Sequence, residues 1–223
     1  MNSIWLSLSV GFCATLVNLA PATALAWIIE RSRLPGRATL QTLILLPLVL
    51  PPVVIGYALL KLFSPRGFLG AALADIGFPV AFHWLGAVVA AAVVGLPLFV
   101  LTIALAFKSV DPRLELMSRT LGRTRWQTFW CVLLPLAWPG ILAGAIISFA
   151  RGLGEFGATI ILAGRIPGET ETIPLQIYAE LDAPGGESRI VWLVAAALGI
   201  CLVCVFLARA LDRRHLLRLE LDR

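Results

Sequence analysis

The chain has 223 residues, of which 59% are hydrophobic and only 14% charged, with a formal net charge of +5; soluble domains carry about 25% charged residues. With a mean hydropathy of +0.91, this composition excludes a soluble globular domain, a disordered chain and a collagen-like repeat, and it points to a chain embedded in lipid. Four cysteines are too few for a disulfide framework, and Cys13, Cys131, Cys201 and Cys204 lack the His or second CxxC of a metal site, so they read as packing thiols.

A spanning helix needs about 20 consecutive apolar residues. Windows of that length without ionisable residues run over 1–29, 38–60, 84–107, 126–150 and 190–208. The spacing predicts an all-α membrane protein of about five transmembrane helices, with 1–223 as a single transmembrane domain. The first window has no Lys or Arg ahead of its apolar run and is long for the core of a signal peptide, so it reads as a retained span. Pro47, Pro51 and Pro52 interrupt the second window, Gly95 and Pro97 the third, and Pro135 and Pro139 the fourth. Each proline removes a backbone donor, and in lipid the freed carbonyl needs a neighbouring helix or water. That pattern suits a bundle around a path; kinks that only shape packing would leave the same pattern. The stretch 156–164 is apolar but nine residues long, so it is expected as a short, broken or re-entrant piece.

Positive residues in short loops stay on the cytoplasmic side. Alternate loops place Arg31, Arg33, Arg37, Lys108, Arg113, Arg119, Arg123, Arg125, Arg209, Arg213, Arg214, Arg218 and Arg223 on one side, and only Lys61, Arg66, Arg151, Arg165 and Arg189 on the other. The N-terminus is therefore expected outside and the C-terminus inside. The basic tail reads as attraction to an anionic leaflet and not as a nucleic-acid site.

Between the third and fourth spans, 108–131 reads as a cytoplasmic loop with structure of its own. Asp111 before Pro112 is an N-cap followed by a first-turn proline, and Gly122 is placed to end the helix in a left-handed conformation. Thr124 and Gln127 have capping-box spacing, starting a second helix at about Trp126 that runs into the membrane. Leu114, Met117 and Leu121 form an apolar stripe on a segment that also bears Arg113, Glu115 and Arg119. Such a stripe can bind the membrane surface, fold back on its own bundle or dock in a groove of a soluble partner, and periodicity does not choose among them.

Leu116-Met117-Ser118-Arg119-Thr120-Leu121-Gly122, followed after nine residues by Val132-Leu133-Leu134-Pro135, resembles the EAA loop of ATP-binding-cassette importer permeases. The glycine and the Leu-Pro positions match. The opening triplet departs: Leu116 stands at the family's glutamate, Glu115 lies one residue earlier, and Met117 and Ser118 replace the alanines. The resemblance implies that Glu115, Leu116, Met117, Leu121, Gly122 and Trp126 belong to a coupling helix that inserts into a cleft of an ATPase subunit. The sequence has no GxxxxGK[ST] loop, so no nucleotide cofactor is expected in this chain and ATP would be bound by the partner.

Arg151-Gly152-Leu153-Gly154-Glu155-Phe156-Gly157-Ala158-Thr159, then Ile166-Pro167-Gly168-Glu169-Thr170-Glu171-Thr172-Ile173-Pro174 and Ile177-Tyr178, are similar to the permeases for tetrahedral oxyanions, the molybdate, tungstate and sulfate family. Residues from Leu46 to Tyr57 and the 166–174 run resemble the molybdate members most. Glycines at Gly152, Gly154 and Gly157, with Thr159, supply the close backbone approach and hydroxyl that suit a dianion. Phe156 lies within the same expected gate. Glu155 would repel a dianion and reads as a structural or gating residue, hydrogen-bonded to helix ends or paired with Arg151. The external loop 165–189 is acidic, with Glu169, Glu171, Glu180, Asp182 and Glu187, which suits docking of a protein as well as it suits a solvated loop.

Importing a dianion against an interior-negative potential costs roughly 4.6 kcal/mol per 100 mV, so coupling to ATP is expected. The resemblance implies a multi-pass permease of the cell inner (plasma) membrane, working as a homodimer with two ATPase subunits and an external substrate-binding protein, and carrying molybdate or a similar oxyanion. Rival readings are a sulfate or tungstate permease or, from another class, an ion-driven secondary transporter or anion channel. The last would need intramembrane acids or histidines, which the five windows lack.

Overall fold

The computed structural model describes residues 3–32, 35–75 and 77–221, with the side chains of 74 and 212–221 left aside. Arg33, Arg223 and the side chains of Arg213, Arg214 and Arg218, which enter the orientation argument, lie outside the described residues. In chain order the elements are α1 (Ser3–Arg31), α2 (Arg37–Val49), α3 (Pro52–Phe63), α4 (Phe68–Asp75), α5 (Trp84–Ser109), α6 (Pro112–Thr120), α7 (Arg125–Thr128), a π-helical turn (Phe129–Leu133), α8 (Leu134–Leu153), α9 (Gly157–Leu162), α10 (Ile173–Glu180) and α11 (Gly186–Leu221). Among the described residues there is no strand.

Four continuous stretches are long and apolar enough to cross a membrane: Ser3–Arg31, Trp84–Ser109, Arg125–Leu153 and Gly186–Leu211. The expected second span is different. It breaks into α2 and α3, whose axes bend by 108°. Leu50 and Pro51 are extended at the break, and Pro52 takes the first turn of α3, where a missing N–H costs nothing. Pro47, Pro97 and Pro139, expected to interrupt their spans, lie inside continuous helices. One residue before the Val93 carbonyl that Pro97 deprives of its donor, the buried Asn18 of α1 donates its amide to Ala92 O at 2.7 Å, a polar link between the two helices. Pro135 is absorbed by the π-helical turn directly before it, which widens the helix where the proline ring would otherwise clash.

Lipid tails are as apolar as leucine, so close packing rather than hydrophobic exclusion holds such helices together. Helices α1, α5 and α8 pack on one another, and α11 lies against α8. One core, built from Ala22, Ala26, Phe99, Ile103, Phe107, Phe129, Leu133 and Ile141, sits toward the end of the bundle that carries Arg31 and α6, called here the basic end. A second, of Leu6, Val10, Ala87 and Ala91, fills the opposite end.

The 156–164 stretch is the six-residue helix α9. Gly152 lies against Gly11 and Ala91, while Leu162 and Ala163 lie against Gly86, five residues nearer the start of α5. The chain therefore keeps travelling away from the basic end after α8, and α9 does not turn back along it. The 165–189 segment is folded rather than a solvated loop. Thr170 and Leu175 are fully buried, Ile173 donates its N–H to Ser7 Oγ at 2.7 Å, and Gln176 hydrogen-bonds Ser3. Two of its acids are spent internally, Glu171 on Arg165 at 2.6 Å and Glu180 on Arg189 at 3.0 Å.

Candidate functional site

The surface helix α6 is made by local rules. Asp111 Oδ1 accepts from Arg113 N at 2.9 Å, Pro112 opens the helix, and Gly122 closes it with φ of 87°. Thr124 and Gln127 form the reciprocal capping box of α7, at 2.9 and 3.2 Å. A buried hydrogen bond between Ser118 Oγ and Thr128 Oγ1, 3.1 Å, ties the two helices. With the inward face spent on that contact, the stripe residues Leu114, Met117 and Leu121 point away, 42%, 63% and 82% exposed, as does Leu116 beside them. The apolar stripe is thus not folded against its own bundle.

Glu115 turns the other way. It pairs with Arg31 at 2.7 Å, and Arg31 Nη2 also donates to Phe107 O at 2.6 Å and Val110 O at 3.0 Å. One guanidinium thereby fastens the end of α1, the end of α5 and α6. Nothing in the sequence separates Arg31 from Arg33 and Arg37, so its role is visible only in three dimensions. Trp126 faces the apolar side of the bundle, stacked on Phe129 at 5.7 Å and edge-on to Trp27 at 6.3 Å.

At the other candidate locus two helix breaks meet. Gly157 opens α9 beside the Pro52 that opens α3; a Cβ on Gly157 would stand 2.8 Å from Pro52 Cβ, and one on Gly56 would stand 2.8 Å from the backbone of Ala158. Only glycine permits this approach. Glu155, 3% exposed, sits in the break, where its carboxylate accepts from Ala158 N at 2.9 Å and pairs with Arg151 at 3.0 Å. The carboxylate therefore caps α9 and neutralises the arginine one turn before it. Phe156 packs on Tyr178 of α10 at 5.3 Å. Gly152 and Thr159 are buried in helix packing, and Gly154 is exposed. Of the six residues expected at the gate, Gly154, Glu155, Phe156 and Gly157 come together at the break, while Gly152 and Thr159 serve the helices on either side. Pro52 and Tyr178 complete the junction.

A bundle of apolar spans, one of them broken, with a capped, outward-facing helix between two of the continuous ones is the architecture of a membrane permease, and residues 22–216 match the model of the family described as binding-protein-dependent transport system inner membrane component. The chain belongs to that family and is a multi-pass membrane protein. It is 45% identical over 213 residues to the molybdenum transport system permease protein ModB of Escherichia coli (strain K12), covering 95% of this chain and 93% of that one. It is 40% identical over 190 residues to the sulfate transport system permease protein CysT of the same organism, covering 84% and 69%. A crystal structure of a bacterial alginate ABC transporter in complex with an alginate pentasaccharide-bound periplasmic protein superposes with a TM-score of 0.67 at 22% identity, covering 95% of this chain and 76% of that one. That last likeness shows the fold.

Proposed function

We propose that the chain is the membrane-spanning subunit of an ATP-driven importer that brings molybdate into the cytoplasm. The observation that carries the mechanism is α6: a capped helix held to α1 and α5 through Arg31, with Leu116, Met117 and Leu121 turned outward. Helices of this kind dock in apolar grooves of soluble partners. In this reading the groove belongs to an ABC ATPase, present in two copies beneath a homodimer of this chain, and α6 lies in the cytoplasm with the N-terminus outside. ATP is bound by the ATPase, and this chain makes and breaks no covalent bond.

Closure of the ATPases pulls α6, Arg31 carries the pull to α1 and α5, and the packed spans α5 and α8 transmit it to the break at Gly154 to Gly157. The cargo enters at the opposite end, delivered by an external binding protein seated near the folded 165–189 segment. The neutral Arg151–Glu155 pair offers a dianion no net charge, which suits passage rather than retention. Molybdate is favoured by the higher identity and nearly full coverage of the molybdenum relative. Sulfate is the second reading, favoured by the sulfate permease at 40% identity.

The test is uptake of labelled molybdate into proteoliposomes holding the chain with its cognate ATPase and binding protein. ATP-dependent uptake displaced by excess unlabelled molybdate and unaffected by sulfate is expected. Uptake displaced by sulfate would transfer the assignment to sulfate, and uptake without ATP would overturn the importer reading.

A further inference from the structure

At the basic end the molecule carries two adjoining pockets of opposite character. An apolar groove of about 560 Å³ runs between α1 and the α7 to α8 segment, walled by Leu16, Ala20, Trp27, Trp130 and Trp138. The distance from Leu16 to Ile28 along α1 is roughly 18 Å at 1.5 Å per residue. That matches about 15 Å, one leaflet's half of a ~30 Å hydrocarbon core.

At its basic end the groove meets a second pocket of about 260 Å³, sharing Trp27 and lined by Arg31, Glu115, Arg119 and Arg125. Glu115 is occupied by Arg31. Among the described residues no ion pair involves Arg119 or Arg125. An aliphatic slot one leaflet deep thus opens onto a compact pocket with unspent positive charge. Tryptophans line the passage from slot to pocket, at the depth where amphipathic rings favour the membrane–water boundary.

We propose that this is a binding site for one anionic phospholipid of the leaflet next to α6, with an acyl chain in the groove and the phosphate between Arg119 and Arg125. Charge complementarity selects the occupant: a zwitterionic lipid brings its own cation beside two arginines, whereas an anionic headgroup brings only the phosphate charge they lack. Because Trp27 and Arg31 adjoin both the lipid site and α6, its occupancy bears on the stiffness of the α1–α6 tie. The proposal rests on the membrane placement of the bundle and not on the identity of the cargo.

The experiment uses the full chain in phosphatidylcholine vesicles containing brominated phosphatidylglycerol, with tryptophan fluorescence as the readout. At equal mole fraction, brominated phosphatidylglycerol is expected to quench several-fold more than brominated phosphatidylcholine. The excess is expected to vanish in the double variant R119Q/R125Q, to survive in R125K, and to fall in A20F, which fills the groove without touching the charges. Equal quenching by the two lipids would overturn the site. So would an excess that millimolar inorganic phosphate removes at constant ionic strength while A20F leaves it intact, which would mark a pocket for free anions.

Discussion

Gly122 and Glu155 each meet a local demand of the backbone, one by conformation and one by charge. Gly122 has φ of 87° with open space where a Cβ would stand, so only the backbone conformation opposes substitution. Holding an L-residue there costs about 1–2 kcal/mol, more for a β-branched one. Gly122→Val is expected to leave membrane insertion unchanged and to lower ATP-driven uptake about 5–30-fold, while Gly122→Asn, which tolerates the left-handed region, retains most of it. Glu155 is caught between two demands, the Arg151 cation and the Ala158 N–H. Glu155→Ala leaves both unmet and is expected to cost about 1–3 kcal/mol in denaturant unfolding of the detergent-solubilised chain. Glu155→Gln keeps an acceptor for Ala158 N and is expected to lose less than the alanine variant.

Individual elements show how far sequence reasoning reaches. Helix α6 was legible to its ends because its signals are local: Asp111, Pro112, Gly122 and the Thr124–Gln127 box act within one turn of chain. Long spans were legible from apolar length alone. Proline was a weaker guide. Pro51–Pro52 breaks its span because two consecutive rings leave no donor, but Pro97 and Pro139 lie inside continuous helices, so a single proline does not by itself mark a break. The docking of the 165–189 segment was equally hidden, since the partner of Ile173, Ser7 near the start of α1, lies 166 residues away.

The abutting starts of α3 and α9 carry a prediction of their own. Gly157→Ala places a methyl 2.8 Å from Pro52 Cβ, and Gly56→Ala places one against the Ala158 backbone. Real Cβ atoms do not approach so closely, so the two short helices must separate. Each variant is expected to destabilise the chain by about 1–3 kcal/mol, as overpacking does. Each is also expected to reduce uptake more than expression, measured as transport per unit of inserted protein.

At the scale of the whole molecule, the assembly is tested by proximity. A cysteine at Met117 or Leu121, in a background with Cys13, Cys131, Cys201 and Cys204 replaced by serine or alanine, is expected to crosslink to the ATPase subunit and to be labelled by thiol reagents only from the cytoplasmic side. Labelling from outside would invert the topology. Arg31→Ala should then separate two activities: ATP hydrolysis by the assembled complex is expected to persist while uptake falls at least tenfold, because the docking face on α6 remains but its tie to α1 and α5 is gone.

The side-by-side breaks also set how this bundle can move. With Pro52 pressed on Gly157 and Gly56 on Ala158, α3 and α9 are held as one leaf, and the breaks before them, at Leu50–Pro51 and at Gly154–Phe156, lie side by side. A swing of that leaf needs no sliding between its members, only rotation about a shared axis.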